Sequence, residues 1–249
     1  MRRYLPMSMG EAKKIYARDD STLALKVTKG HFASDRFHVN YYIDMTTLKM
    51  REDNAIRVAK AMVKRYIKKV ELTSDSFGLH ASASELMHEF AGSVASVRPV
   101  DTIVCMDGCE VIGAYLAREF SDTQVATTNA HNTLYVITPE FDHGGQMVVR
   151  DNIKPMIKDK HVLVVLATAM SGRTISKSIR CIESYGGIVE GVSVIFGAVD
   201  HIDSHPVHSV FDMSDIPDFH LSEPENCGDC KEGKKIDAVV NSYGYTVLD

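Results

Sequence analysis

HVLVVLATAMSGRTI, residues 161–175, decides how the chain is read. Val162 to Leu166 is an unbroken apolar run, rich in β-branched valine and of strand length. Thr168, Ser171, Gly172 and Thr174 then form a small-residue loop, and Ile175, Ile179 and Ile182 follow at helical spacing. Strand, loop and helix N-terminus in that order can hold a phosphate, because free N–H groups point at the anion and the helix dipole favours negative charge. Without a Gly-Lys-Ser/Thr sequence, the loop is not a P-loop. An ordinary strand-to-helix turn capped by Ser171 has the same pattern, so both readings stay open.

Working outward, strands alternate with helices. DTIVCM (101–106) is a buried strand, DGCE (107–110) a turn and VIGAYLAREF (111–120) a helix. Short strands are expected at 124–128, 133–137 and 147–149, and a long apolar one at 187–199. Upstream, MGEAKKIYA (9–17) reads as a short helix followed by a loop to Gly30, and HVNYYIDM (38–45) as a strand. Between 51 and 70, Ala55, Ile56, Ala59, Met62, Val63, Tyr66 and Ile67 mark one helix face. Lys60, Lys64, Arg65, Lys68 and Lys69 mark the solvated opposite face. A helix over 84–97, capped by Ser84, and a last short helix at 235–241 complete the reading. The alternation predicts an α/β fold: a mainly parallel twisted sheet flanked by helices. Ligands of such sheets lie beyond the carboxyl ends of the strands, where loops 106–110 and 167–174 fall.

A chain of 249 residues can bury a sizeable core as one domain. Its net charge of −5 argues against a general nucleic-acid or anionic-membrane binder. No apolar run reaches the ~20 residues that span a bilayer. The opening MRRYLPMSMGEAKK has no apolar segment of signal-peptide type, so a cytoplasmic location is expected. Cys105 and Cys181 sit in apolar patterns as small core residues. Cys227 and Cys230, in the polar CGDC, form a metal half-site, a redox pair or a bare turn. His201, His205, His208 and His220 precede them, so zinc bound by two thiolates and one or two histidines is chemically available.

Taken together, GHFASDRFHVNYYIDM (30–45), DTIVCMDGCEVIGAYLA (101–117), FDHGGQ (141–146) and HVLVVLATAMSGRTI resemble the orotate phosphoribosyltransferases of the type I phosphoribosyltransferase family. The similarity runs in family order over about 30–200. It implies a single domain over 1–249, with a small N-terminal hood (about 1–75), a core sheet (about 100–200) and a tail carrying the CxxC (about 200–249). It also implies phosphoribosyl pyrophosphate or a nucleotide as ligand, Mg²⁺ as cofactor, and a homodimer with neither nucleic-acid nor membrane partner. The family moves ribose 5-phosphate onto a base nitrogen and releases pyrophosphate.

Residue by residue, the resemblance puts the 5-phosphate cradle on Thr168, Ala169, Met170, Ser171, Gly172, Arg173 and Thr174. The pyrophosphate-side loop falls on Asp107 and Gly108, with Asp107 either holding Mg²⁺ through water or capping the next helix. The hood motif falls on Arg36 and His38. His143, in the family's mobile loop, is a catalytic candidate or a solvent-exposed histidine, and Arg150 a source of positive charge or a surface strand residue. One departure stands out: the acid pair that faces the ribose in the family falls on Leu166 and Ala167. The loop keeps its phosphate hardware and lacks its ribose hardware. A divergent transferase and a non-catalytic sensor of phosphorylated nucleotides both fit that pattern.

Overall fold

The computed structural model describes residues 10–66, 99–122, 128, 129, 131 and 133–248; the helix expected at 84–97 and most of the strand expected at 124–128 lie outside them. The chain opens with an antiparallel pair, β1 (Lys13–Ala17) and β2 (Asp20–Ala33), where a helix and loop were expected. The cause is periodicity: Leu23, Leu25 and Val27 are buried while the residues between them are not, so apolar groups repeat every second residue. β3 (His38–Asp44) returns antiparallel to β2, in the position expected for a strand.

Two helices follow, α1 (Thr46–Met50) and α2 (Glu52–Val63). Ala55, Ala59, Met62 and Val63 of α2 are buried as the spacing required, with Val58 joining them, while Ile56 is only half-buried. Lys60, Lys64 and Arg65 are exposed, so this part of the basic face is solvated.

The alternating region matches its sequence pattern more closely. β4 (Thr102–Cys105) leads through a turn into α3 (Glu110–Asp122), and β5 (Tyr135–Ile137) follows. β6 (Glu140–Phe141) and β7 (Met147–Val148) form a small hairpin apart from the main sheets. β8 (His161–Ala169), α4 (Arg173–Ser184) and β9 (Ile188–Gly197) make the expected strand–helix–strand unit.

The tail is the part the sequence misrepresented. β10 (His201–Ile202) and β11 (His205–Asp212) form strands in a stretch rich in Asp, His, Pro and Ser to which the sequence assigned no element, because Val207 and Phe211 point inward among histidines and serines. After β12 (Leu221–Ser222) and the single turn α5 (Gly228–Lys231), the helix expected at 235–241 is instead β13 (Ala238–Asn241), turning into β14 (Gly244–Val247). β13 runs parallel to β2, with Ala238 opposite Phe32, and that pairing supplies the backbone partners a lone helix would have found internally.

Two large sheets result. The central one has the order β10-β11-β9-β8-β4-β5 and is parallel except at β10. The hood sheet has the order β12-β3-β2-β13-β14, with β1 pairing β2 on the edge away from β3. Along β8, Leu163, Val165 and Ala167 join the apolar cluster of α2, α3 and the hood. Val162, Val164 and Leu166 join the cluster that packs Ile175, Ile179 and Ile182 of α4. Each buried valine, leucine or isoleucine among them contributes ~1.5–3 kcal/mol of hydrophobic stabilisation. Helices therefore cover the central sheet on both faces, as an α/β architecture requires. The buried carboxylate of Asp101 accepts hydrogen bonds from the His161 N–H (2.9 Å) and the Thr128 hydroxyl (2.6 Å). It thereby fixes the starting ends of β4 and β8. No helix among the described residues is long and apolar enough to cross a membrane.

Candidate functional site

A cavity of about 640 Å³ opens where the carboxyl ends of β4 and β8 meet the hood sheet. One wall is central: Asp107 after β4, Leu166, Ala167 and Thr168 at the end of β8, and Met170 to Thr174 of the following loop. The opposing wall is the β2–β3 turn, Ser34 to Phe37, together with Val239 to Gly244 of the tail hairpin.

In the 170–174 loop, Gly172 is the N-cap of α4 with φ +73°, a left-handed conformation that glycine adopts without strain. No side chain caps this helix, so Ser171 does not have the capping role that an ordinary turn would give it. The first intrahelical bond runs from the Ser176 N–H to the Gly172 carbonyl (2.7 Å), which leaves the N–H groups of the preceding turn without helical acceptors. Ser171, Arg173 and Thr174 are exposed beside them. The glycine is required from behind as well: a Cβ would sit 2.8 Å from Cγ1 of Ile202 in β10. Ala169 is buried opposite Gly197 and does not line the cavity.

At the other loop, Asp107 (φ +57°) and Gly108 (φ +75°) are two successive left-handed residues. Lys49 of α1 holds this bend: its ammonium donates to the Asp107 carbonyl (2.7 Å) and to the Ser242 carbonyl (2.7 Å), and lies over the Tyr243 ring at 5.8 Å. The side chain is 2% exposed, so a buried cation joins central wall to hood wall. Sequence reasoning missed it, since a single lysine in TTLKM carries no signal of its partners. Burial pushes the Asp107 carboxyl above the usual carboxylate range, against the opposing pull of Lys49 and the Ser242 hydroxyl.

Leu166 and Ala167, which stand where the resembled family has its acid pair, are 2% and 1% exposed. They belong to opposite faces of β8, each closed into its own apolar cluster. A carboxylate at either position would lose water without gaining a partner. Arg36 lines the cavity, and its neighbour Asp35 pairs with it at 3.4 Å. His143 is exposed at the tip of the β6–β7 hairpin and is not part of the lining. Arg150 donates twice to the Glu140 carboxylate, at 2.6 and 3.1 Å, and also stands outside the cavity. The structure thus gathers Thr168, Met170 to Thr174, Asp107 and Arg36, and leaves Ala169, His143 and Arg150 apart.

His38 lies elsewhere. Its Nδ1 is 3.1 Å from His31 Nε2 and 3.2 Å from Cys230 Sγ, and Cys227 Sγ is 3.5 Å from the same His31 nitrogen. The histidines beside the two thiols are therefore His31 and His38. Of the four tail histidines, His201 lies by Asp200 and His205 by Glu183, each at 3.4 Å, while His208 packs on the Tyr66 ring. The His220 ring meets the Asp218 carbonyl at 3.2 Å. Cys105 is fully buried, which pushes its thiol up to about 12, and Cys181 is half-buried.

No family model and no curated protein matches this chain. Among solved structures, it is similar to orotate phosphoribosyltransferase of Mycobacterium tuberculosis H37Rv in complex with Fe(III) dicitrate. The identity is 12% and the TM-score 0.39, over 84% of this chain and 92% of that one. Adenine phosphoribosyltransferase from Rhodothermus marinus DSM 4252 gives 10% identity and a TM-score of 0.44, over 81% and 94%. Orotate phosphoribosyltransferase from Aeropyrum pernix gives 18% and 0.42, over 71% and 81%. These values record a likeness and carry no functional weight; the cavity itself does.

Proposed function

We propose that this chain binds a phosphoribosyl compound, phosphoribosyl pyrophosphate or a nucleoside 5′-monophosphate, with its 5-phosphate on residues 170–174. One observation carries the reading: the N-terminus of α4 has no side-chain cap and opens, flanked by Ser171, Arg173 and Thr174, into a cavity large enough for a nucleotide. Arg36 on the opposing wall adds positive charge.

Two readings of that site remain, and different observations favour them. Ribosyl transfer of the orotate type is favoured by the Asp107–Gly108 bend, whose left-handed backbone suits a pyrophosphate. Asp107 fits the demands of Mg²⁺, which prefers oxygen ligands and is often held by one carboxylate, waters and substrate phosphates. It would hold the ion through water, and the ion would offset pyrophosphate charge. Binding without turnover is favoured by Leu166 and Ala167: a phosphate cradle grips ground state and transition state about equally, whereas ribose-facing carboxylates act where charge develops. The placement of His143 and Arg150 outside the lining points the same way.

Calorimetry with phosphoribosyl pyrophosphate and Mg²⁺ tests the binding. The exposed Ser171→Asp should weaken it at least about tenfold by placing a carboxylate where the phosphate sits. Unchanged affinity in the folded variant would refute the assignment. Pyrophosphate release with orotate separates the two readings, since turnover in the ordinary range of ~1–10³ per second would establish transfer.

A further inference from the structure

His31 and His38 flank the turn between β2 and β3, while Cys227 and Cys230 bracket the start of α5. The two pairs are distant in sequence, with Cys227 196 residues beyond His31. Their four ligand atoms nevertheless lie within 4.8 Å of one another. A tetrahedral zinc ion, with Zn–N ~2.0–2.1 Å and Zn–S ~2.3 Å, needs ligand-to-ligand edges of about 3.3–3.8 Å. The edges here are 3.1 Å between the two imidazoles, 3.5 and 3.7 Å from His31 to Cys227 and Cys230, and 3.2 Å from His38 to Cys230.

The orientation of one ring is fixed from behind. His31 Nδ1 lies 3.2 Å from the carbonyl oxygens of both Lys234 and Lys235. A carbonyl only accepts, so Nδ1 carries the proton and Nε2 turns its lone pair toward the thiols and the second imidazole. Backbone carbonyls holding the outer nitrogen of a histidine are the usual support of a metal ligand. Around that lone pair stand two sulfurs and a nitrogen, three of the four residues being buried. Thiols are weak hydrogen-bond donors, so hydrogen bonding alone gives this convergence little reason to persist.

We propose that His31, His38, Cys227 and Cys230 hold one zinc ion in a closed Cys₂His₂ site. The choice of metal follows from two soft thiolates and two imidazoles in tetrahedral array. With all four positions filled by protein there is none for substrate, so the ion is a staple. It fastens the tail to the hood sheet at a point between two stretches of cavity wall: the 34–37 turn lies between the two histidines, and residues 239–244 follow the second cysteine. The zinc site does not depend on which ligand the cavity takes.

The test uses the full chain, purified without chelators or a polyhistidine tag. Elemental analysis should find about one zinc per chain. Exchange with cobalt(II) should give the intense visible bands of tetrahedral, thiolate-bound cobalt. The paired variant Cys230→Ser/His38→Gln should lose the metal. Removing zinc from the natural protein should lower its melting temperature by several degrees and speed amide exchange in 34–41 and 238–247. If the variant fails to fold, the cobalt spectrum of the natural chain still decides the matter. Metal-free protein with a Cys227–Cys230 disulfide, a pale octahedral cobalt spectrum, or full zinc retention by the paired variant would each overturn the proposal.

Discussion

The two walls of the cavity are built in opposite ways. Residues 166–174 form most of theirs from a single continuous strand, loop and helix start, which Ile202 backs and the Ala198 N–H holds at the Ala169 carbonyl (2.8 Å). The hood wall joins a turn at 34–37 to a hairpin at 238–247, and its links are long-range. The Asp237 N–H donates to the His31 carbonyl (2.7 Å), the Asp237 carboxylate accepts from the His31 N–H (2.8 Å), and Tyr245 packs on Tyr42 at 4.9 Å. A wall made locally depends on backbone conformation at a few residues. A wall made at a distance depends on pairs, each of which can be cut singly.

The largest expected effect strikes the local wall. Gly172→Val combines a left-handed φ with a side chain driven into Ile202, and should cost roughly 2–4 kcal/mol of stability together with phosphate binding. Urea unfolding measures it, and a loss under about 0.5 kcal/mol would mean that β10 yields easily and the loop is less constrained than described.

On the hood side, Asp237→Ala leaves the buried His31 N–H without its carboxylate and should cost ~1–3 kcal/mol. Amide exchange should rise across β13 and stay unchanged in α4. Faster exchange in both would show that the walls are one cooperative unit.

Tyr245→Ala is a gentler cut. It removes the contact with Tyr42 and should cost ~0.5–1.5 kcal/mol, read as a small fall in the urea midpoint.

The smallest effect lies at the junction of the walls. The Asp107 carboxyl is raised in the folded state, so the native protein holds this proton to higher pH than the unfolded chain does. Stability should therefore fall as pH rises through the window just above the ordinary carboxylate value. Asp107→Asn should flatten that part of the stability–pH curve. A curve unchanged in slope would indicate that Lys49 and Ser242 fully offset the burial.

The same contrast explains what the sequence disclosed. Val162 to Leu166 and the isoleucines of α4 repeat at intervals that belong to strand and helix, and the structure follows them nearly to the residue. Nothing comparable marks the hood. KIDAVV at 235–240 suits a helix when read alone and becomes a strand because Phe32 and Ala33 offer a free edge. The opening hairpin was missed for a different reason: the alternation of Leu23, Leu25 and Val27 was present in the sequence but outweighed by the helix-forming composition of MGEAKK. Among candidate site residues, the loop hydroxyls, Asp107 and Arg36 were visible because they lie in or near motifs. Lys49 was not, since its partners are the carbonyls of Asp107 and Ser242, and carbonyls have no sequence signature. The CGDC motif announced two donors. Their companions His31 and His38 could be found only from the fold, because no spacing rule connects residues so far apart.

The placement of β13 against β2 also sets an order of events in the life of the chain. The β8–α4 loop can take its shape once β10 and β11 have been made, before residues 238–247 are synthesised. The hood sheet must wait for residues 238–247, because β13 reaches the edge of β2 from much later in the sequence. Contacts of such long separation form late and slowly. During translation the newborn protein therefore carries a finished 168–174 loop facing an unfinished roof, with the edge of β2 open to pairing with another strand. Any truncation before residue 238 would make that interval permanent.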